Sequence, residues 1–279
     1  METLGLLAGI GHLPVDVAKS AEKLGYKVVA IAVVADTDPE LPEVADVFYT
    51  INVGKVGRIL QTLKQHGVKN VTMIGKVTKE VLYRSGAIIP DLIAIRLLAS
   101  LPDRKDDTVM NALVKLIEEN GMHVMDQTVL VQPLLPEPGV LTRRKPTEQE
   151  WKDMQFGFRM AKELGRLDIG QTVVVKNQAV MALEAIEGTD ACILRGGFLG
   201  KGGVIVAKTA KPAQDNRFDM PSVGTTTLTS MIHAGATGIV IEAGRTLLVD
   251  RKRTIAMAEE NNITIVSMAE SDLTNAFLK

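Results

Sequence analysis

The 279-residue chain sets 32 Lys and Arg against 33 Asp and Glu, for a net charge of −1, and 46% of its residues are apolar. So even a balance offers no field to recruit nucleic acid. The single cysteine, Cys192, rules out an internal disulfide and a cysteine zinc cluster and suits a reducing cytoplasm. No run reaches the roughly 18 apolar residues of a membrane span, and no leader pattern opens the chain, so a soluble cytoplasmic protein is expected. Its length accommodates two ordinary domains, and the 24 glycines with only 4% aromatics suit α/β turns rather than a β-sandwich.

In chain order, "TLGLLAG" reads as a buried strand, "PVDVAKSAEKLGY" as a helix stopping at Gly25, and "KVVAIAVV" as a second strand. "VFYTINV", "KVGRILQTLKQHG" and "NVTMIG" repeat the alternation, which predicts a parallel sheet with right-handed crossovers. Helices are expected over "PDLIAIRLLASL" and "DDTVMNALVKLIEENG". The stretch at 133–148, with four prolines and a glycine, interrupts all periodicity and is expected to be a linker between domains at 1–132 and 149–279. Beyond it the pattern is again α/β: a helix from Trp151 to Leu164, paired strands in "QTVVVKNQAVMALEAIEG", a strand in "GGVIVAKTA", a helix in "TTTLTSMIHAG", strands in "TGIVIEAGRTLLV", a helix in "DRKRTIAMAEENN" and a last strand in "ITIVSMA".

The opening turn, "LLAGIGHLP", has two glycines of a dinucleotide fingerprint, Gly9 and Gly11, but Pro14 stands where the third would be. Asp36 sits somewhat late for a ribose partner. Pro14 suits the first helical turn, and the loop amides are expected to face a phosphate or ribose, or simply to make a tight turn with no ligand.

Polar residues crowd three otherwise apolar segments of the second half. Glu184, Glu187, Asp190 and Arg195 surround one glycine turn; Lys208, Lys211, Gln214, Asp215, Arg217 and Asp219 lead up to Pro221; Glu242 and Arg245 follow a strand. Carboxylates hold a hard cation and position water, while Lys and Arg neutralise phosphate oxygens, so phosphoryl chemistry is indicated. A solvated turn charge or a structural ion pair is the better account of Glu187, Asp190 and Arg245. His12, His66, His123 and His233 have no ligand spacing, and no Walker, Gly-x-Ser-x-Gly or His-Glu-x-x-His motif is present. Any metal is therefore expected to be oxygen-liganded. Within "RFDMP" an extended backbone is expected to put Arg217 and Asp219 on one face as a pair.

"GLLAGIGHLP", "GKVGRILQTLKQHGV", "MIGKV", "RKDD", "GVLTRRKPTEQEWKD", "LDIGQTVVVKNQAVMALEAIEGTDACILRGG" and "KPAQDNRFDMPSVG" occur in the order in which they resemble one family. That family is the UDP-2,3-diacylglucosamine pyrophosphatase of Gram-negative bacteria that lack the calcineurin-like enzyme. "SVGTTT" and Lys105 within "RKDD" depart from its pattern. The resemblance implies a Rossmann-like N-terminal domain and a C-terminal catalytic α/β domain of distinct fold. It also implies Mg²⁺-dependent (or Mn²⁺-dependent) hydrolysis of UDP-2,3-diacylglucosamine to UMP and 2,3-diacylglucosamine 1-phosphate, at the inner face of the cytoplasmic membrane.

Combined with the residue reading, Asp219, Arg217, Asp215 and Lys208 are expected to be catalytic, with Asp219 and Asp215 holding the metal. Gly9, Gly11, Lys76, Glu184, Arg195, Lys211 and Gln214 are expected to bind substrate. Residues 88–102 offer an apolar helix for the acyl chains, although burial in the core is favoured for it. A homodimer is expected. The competing readings are a non-catalytic sugar-nucleotide-binding module and an NAD-dependent oxidoreductase.

Overall fold

A computed structural model describes residues 1–77, 89–103, 106–212 and 214–274, without the side chains of residues 106, 107 and 274. Arg104 and Lys105 of "RKDD" and residue 88 of the apolar stretch lie outside the described residues. The chain divides into two compact units, one comprising Met1–Gln132 with Asn216–Phe218, the other Pro133–Asp215 with Asp219–Lys279.

The first unit is built on five strands: β1 (Glu2–Ala8), β2 (Tyr26–Ala32), β3 (Val47–Thr50), β4 (Asn70–Ile74) and β5 (His123–Val124). They lie in the order β3-β2-β1-β4-β5, and every neighbouring pair is parallel. The expected parallel sheet is thus present, in the order that doubly wound folds use. β1 and β2 each bury five consecutive residues, as a strand covered on both faces must. The crossovers include α1 (Leu13–Lys23), α2 (Leu41–Val44) and α3 (Val56–Gln65), whose Val56, Ile59, Leu60 and Leu63 form one buried stripe. Pro14 takes the first turn of α1, where its missing N–H costs nothing.

α4 (Leu92–Ala99) departs from the favoured core reading, because it buries only Ala94 while Leu92, Ile93, Ile95 and Leu98 are exposed. Its N-cap Asp91 accepts from Ile93 N, Ala94 N and Gly57 N, which fixes the helix start on α3 rather than within the sheet. α5 (Asp106–Glu119) and α6 (Thr128–Val131) complete the unit.

The second unit carries a six-stranded mixed sheet of β6 (Gly139–Val140), β7 (Thr172–Lys176), β8 (Ala179–Leu183), β9 (Val204–Lys208), β11 (Ala236–Glu242) and β13 (Thr264–Met268), in the order β6-β13-β11-β9-β7-β8. β10 (Ser222–Val223) and β12 (Leu247–Leu248) form a separate parallel pair. β9, β11 and β13 are mutually parallel, whereas the expected β7–β8 hairpin runs antiparallel. The helices are α7 (Glu148–Arg166), α8 (Thr189–Gly200), α9 (Thr225–His233), α10 (Arg251–Glu260) and α11 (Ser271–Thr274). α7 starts at a capping box between Thr147 and Glu150, and its Met154, Phe158 and Ala161 pack on β7, β9 and β11 residues.

Residues 133–148, expected as a linker, lie inside this unit. Gly139 and Val140 pair with β13, Thr142 Oγ1 accepts from Ile265 N at 3.2 Å, and Arg144 bonds Glu150 at 2.6 Å and the Thr264 hydroxyl. Prolines interrupt an α-helix there but are compatible with an edge strand, which is the place Gly139 and Val140 take.

α8 lies unusually close to its neighbours. A Cβ at Gly196 would stand 2.5 Å from Val174 Cβ, and one at Gly197 2.4 Å from the carbonyl oxygen of Ala234. Gly196→Ala is therefore expected to push α8 off β7 and cost about 1–3 kcal/mol, read as a lower urea midpoint for the second unit. An unchanged midpoint would show that the helix gives way freely.

Candidate functional site

Buried charge marks the C-terminal ends of β9 and β11. Lys208, the last residue of β9, is 6% exposed, and its Nζ donates to Thr189 Oγ1 at 3.2 Å and to the Ser222 carbonyl at 3.0 Å. Thr189 Oγ1, at the first residue of α8, donates in turn to Glu184 Oε1 at 2.9 Å. Glu184 is also buried, and its other carboxylate oxygen accepts from Gln171 N at 3.3 Å. A lysine and a glutamate that the sequence offered separately thus share one hydroxyl. Thr189, which the sequence reading passed over, is the link, and its place at a helix start two residues after Glu187 was the available signal.

A second buried carboxylate, Glu242 at the end of β11, accepts from Lys162 Nζ at 2.9 Å and from Ala210 N at 2.8 Å, with Arg245 at 3.7 Å. Arg245 also donates to the Lys211 carbonyl at 3.2 Å, so it pairs structurally, as expected. Lys162 could not be found from its neighbours in sequence, because it lies on α7, 80 residues from Glu242. Segment 208–211 is therefore held from both sides. Lys211 Nζ contacts Asp168 at 2.8 Å, and Lys211 N donates to Gln214 Oε1 at 3.0 Å, with Gln214 Nε2 3.4 Å from Gln171 Oε1.

The structure also keeps some expected residues apart. The guanidinium of Arg195 is turned to Glu187 at 2.5 Å and to the Leu183 carbonyl at 2.8 Å, at the outer corner between β8 and α8. Glu187 is in an ion pair, one of the two roles favoured for it, whereas Asp190 accepts from Ser230 Oγ at 2.9 Å. The extended "RFDMP" is corrected. Residues 216–218 form a turn closed by Asp219 N donating to the Asp215 carbonyl at 2.9 Å, and among the described residues this segment has no strand partner to hold it straight. Within the first unit, Gln127 binds the Asn216 and Arg217 carbonyls, Arg217 donates to Asn111 at 3.2 Å, and Phe218 packs on the core.

The donor set of Asp215 and Asp219 suits a hard cation. The two residues stand at the ends of one turn, and their carboxylate oxygens are donors of the kind a hard cation takes. Among the described residues, the group of three potential ligands is a different one: His12, Asp38 and Glu40, whose donor atoms lie within 4.8 Å of one another. The sequence reading missed that meeting, since its members are 26 and 28 residues apart. His12 Nδ1 is 2.9 Å from Asp38, and Glu40 is bound by Lys19 at 2.5 Å, so these groups already satisfy one another. Burial opposes ionisation of Asp38, but bonds from Glu40 N and His12 outweigh it and hold the carboxyl below its usual range.

At the opening turn, Gly9 N donates to the Ile74 carbonyl, and Ile10 N and Lys76 N exchange bonds with each other's carbonyls. A Cβ at Gly9 would lie 2.6 Å from the Lys76 carbonyl oxygen, so glycine is required there by a close approach of backbones. Gly11 adopts φ +103°. The structure thus brings Gly9 and Lys76 together, while the amides of residues 9 and 10, expected to face an anion, are occupied.

Two family models cover the chain: the LpxI N-terminal domain matches residues 3–134 and the LpxI C-terminal domain residues 137–266. The UDP-2,3-diacylglucosamine pyrophosphatase LpxI of Caulobacter vibrioides is 31% identical over 96% of this chain and 98% of its own length. The bifunctional purine biosynthesis protein PurH of Sinorhizobium fredii is 29% identical over 64% of this chain and 33% of its own. A solved biotin carboxylase subunit of pyruvate carboxylase aligns with a TM-score of 0.26 at 16% identity, over 66% of this chain and 36% of that one.

Two outcomes follow from the buried groups. Glu242→Leu leaves the Lys162 ammonium and the Ala210 N–H without their acceptor and is expected to cost about 3–5 kcal/mol in urea unfolding, with Glu242→Gln, which keeps an acceptor, costing less. Equal losses for the two variants would remove the acceptor role. Burial first, then the nearby Glu184, push the Cys192 thiol up to about 12. At pH 8 the folded chain is expected to resist a thiol-specific disulfide reagent and to react at one thiol per chain once unfolded in guanidinium.

Proposed function

The chain belongs to the LpxI family, and on that premise we propose that it hydrolyses the diphosphate of UDP-2,3-diacylglucosamine, forming UMP and 2,3-diacylglucosamine 1-phosphate in lipid A synthesis. The observation that carries this reading is a match running through both domains and nearly the full length of a relative of that name. A water oxygen forms the new bond to phosphorus, the anhydride P–O bond breaks, and the leaving phosphate oxygen departs with the bonding pair.

Asp219 is the residue proposed to accept the proton of that water at its carboxylate. Lys208, held by Thr189 and the Ser222 carbonyl, and Arg217 neutralise charge that gathers on the phosphoryl oxygens. Lys211 and Gln214 are proposed to orient the substrate from the same segment. Asp215 and Asp219 would hold Mg²⁺ or Mn²⁺, which when bound supplies further neutralisation of the diphosphate. Contact with an anionic lipid surface is proposed for α4, and is supported by its exposed Leu92, Ile93, Ile95 and Leu98 beside the exposed Arg58, Lys64 and Arg96.

The direct test is UMP release from UDP-2,3-diacylglucosamine in detergent. Release is expected with Mg²⁺ or Mn²⁺, loss with EDTA, and recovery when metal is restored; binding without turnover would favour a carrier module. Asp219→Ala is expected to keep its circular dichroism spectrum and its substrate binding while losing on the order of 10³-fold in turnover. A folded, binding variant that retains more than about a tenth of the rate takes Asp219 out of the mechanism.

A further inference from the structure

A threonine beside a helix start ordinarily caps the helix with its hydroxyl. Thr189 does not. The N-cap of α8 is Gly188, at φ +81° and with no side chain to offer, and the Thr189 hydroxyl proton goes instead to Glu184 Oε1 at 2.9 Å. A hydroxyl has a single proton. With that proton committed to the carboxylate, a lone pair is what Thr189 Oγ1 turns to Lys208 Nζ at 3.2 Å, while Thr172 Oγ1 stands farther away at 3.4 Å.

The carboxylate at the other end of this relay is itself held in place. Glu184 Oε2 accepts from Gln171 N at 3.3 Å, Glu184 N donates to the Thr172 carbonyl at 2.9 Å, and a Cβ at Gly170 would collide with the Glu184 carbonyl. Stability does not account for such an arrangement, since a buried ion pair is often no more stabilising than apolar groups of the same volume. A lysine ammonium is a point charge on a flexible four-carbon stem, with no direction of its own. The Ser222 carbonyl at 3.0 Å and the Thr189 hydroxyl give it two fixed acceptors.

We propose that Thr189 and Glu184 are positioning residues for Lys208: they aim its ammonium through the shared hydroxyl, and Glu184 makes no contact of its own with substrate. The assignment rests on the proposed hydrolysis and on the charge-neutralising role given there to Lys208. It replaces the substrate contact that the sequence suggests for Glu184. Charge on the phosphoryl oxygens grows toward the transition state, so a misplaced ammonium costs kcat rather than binding.

UMP release from UDP-2,3-diacylglucosamine with Mg²⁺ is measured on the full chain and its variants, each checked by circular dichroism. Thr189→Val, close in shape but without the hydroxyl, is expected to lower kcat about 10-fold or more with KM within about twofold. Thr189→Ala repeats the measurement should the valine variant misfold. Thr189→Ser keeps the hydroxyl and is expected to recover most of the rate. Glu184→Gln is expected to lower kcat alone yet to add nothing to Thr189→Val in the double variant, because its route to Lys208 is already cut. Ser230→Ala removes the bond to Asp190 that ties the start of α8 to α9, and is expected to cost stability but not rate. The proposal is overturned by a Thr189→Val chain of nearly native kcat, by a loss confined to KM, or by a serine that fails to rescue. Losses at 184 and 189 that multiply overturn it as well, as does a Ser230→Ala chain as slow as Thr189→Val. Each of these leaves the reaction standing, whereas a native chain that releases no UMP overturns the hydrolysis itself and the positioning role with it.

Discussion

The Glu242 carboxylate, 4% exposed at the end of β11, would cost several kcal/mol to bury if no donor met it. Lys162 from α7 and the amide of Ala210 meet it, and through it a helix, a strand and the chain leaving β9 are fixed together. Lys208 presents the same problem with the opposite sign, and is answered by Thr189 and the Ser222 carbonyl. The short run between Lys208 and Lys211 is thereby fastened at each end by buried charge. On the proposed reaction these polar groups meet a diphosphate and must be aimed before it arrives, and pairing them in a water-poor sheet edge is a direct way to do so. The apolar strands around them, Val204–Ala207 and Gly238–Ile241, exclude the water that would otherwise screen these contacts.

The strands were legible because a parallel strand covered on both faces has to be apolar throughout, as β1, β2 and β9 are. α3 was legible for the complementary reason, since one face alone is buried and the period of 3.6 survives in the sequence. α4 misled because an all-round apolar helix is ordinarily a core helix, and nothing in "LIAIRLLA" shows that its Asp91 cap ties it to α3 at the surface. Residues 133–148 misled through their prolines, which report the absence of a helix and are silent on whether an edge strand forms instead. At the candidate site, Lys208, Glu184, Lys211 and Gln214 were visible as polar intrusions into apolar segments. Their partners Thr189 and Gln171, and the Lys162 that meets Glu242, were not, because they are ordinary residues whose significance comes chiefly from contacts distant in sequence. The turn at 216–218 shows the limit of period-2 reasoning, which holds only where a neighbouring strand enforces the pleat.

The first unit has the strand order of a dinucleotide-binding domain, yet its opening turn is put to a different use. In a dinucleotide site the amides after the first strand are left open for the pyrophosphate, and a third glycine lets the helix approach. Here Gly9 N and Ile10 N are committed to the end of β4, and the exchange between Ile10 and Lys76 in effect prolongs the sheet by one residue pair. Pro14 then starts α1 without needing a donor, while His12 at the N-cap is drawn sideways to Asp38. Glycine at position 9 is accounted for by the Lys76 carbonyl that a Cβ would strike, before any ligand is considered. A glycine pair after a first strand is therefore explained in this chain by backbone meeting backbone, and strand order by itself carries no cofactor with it.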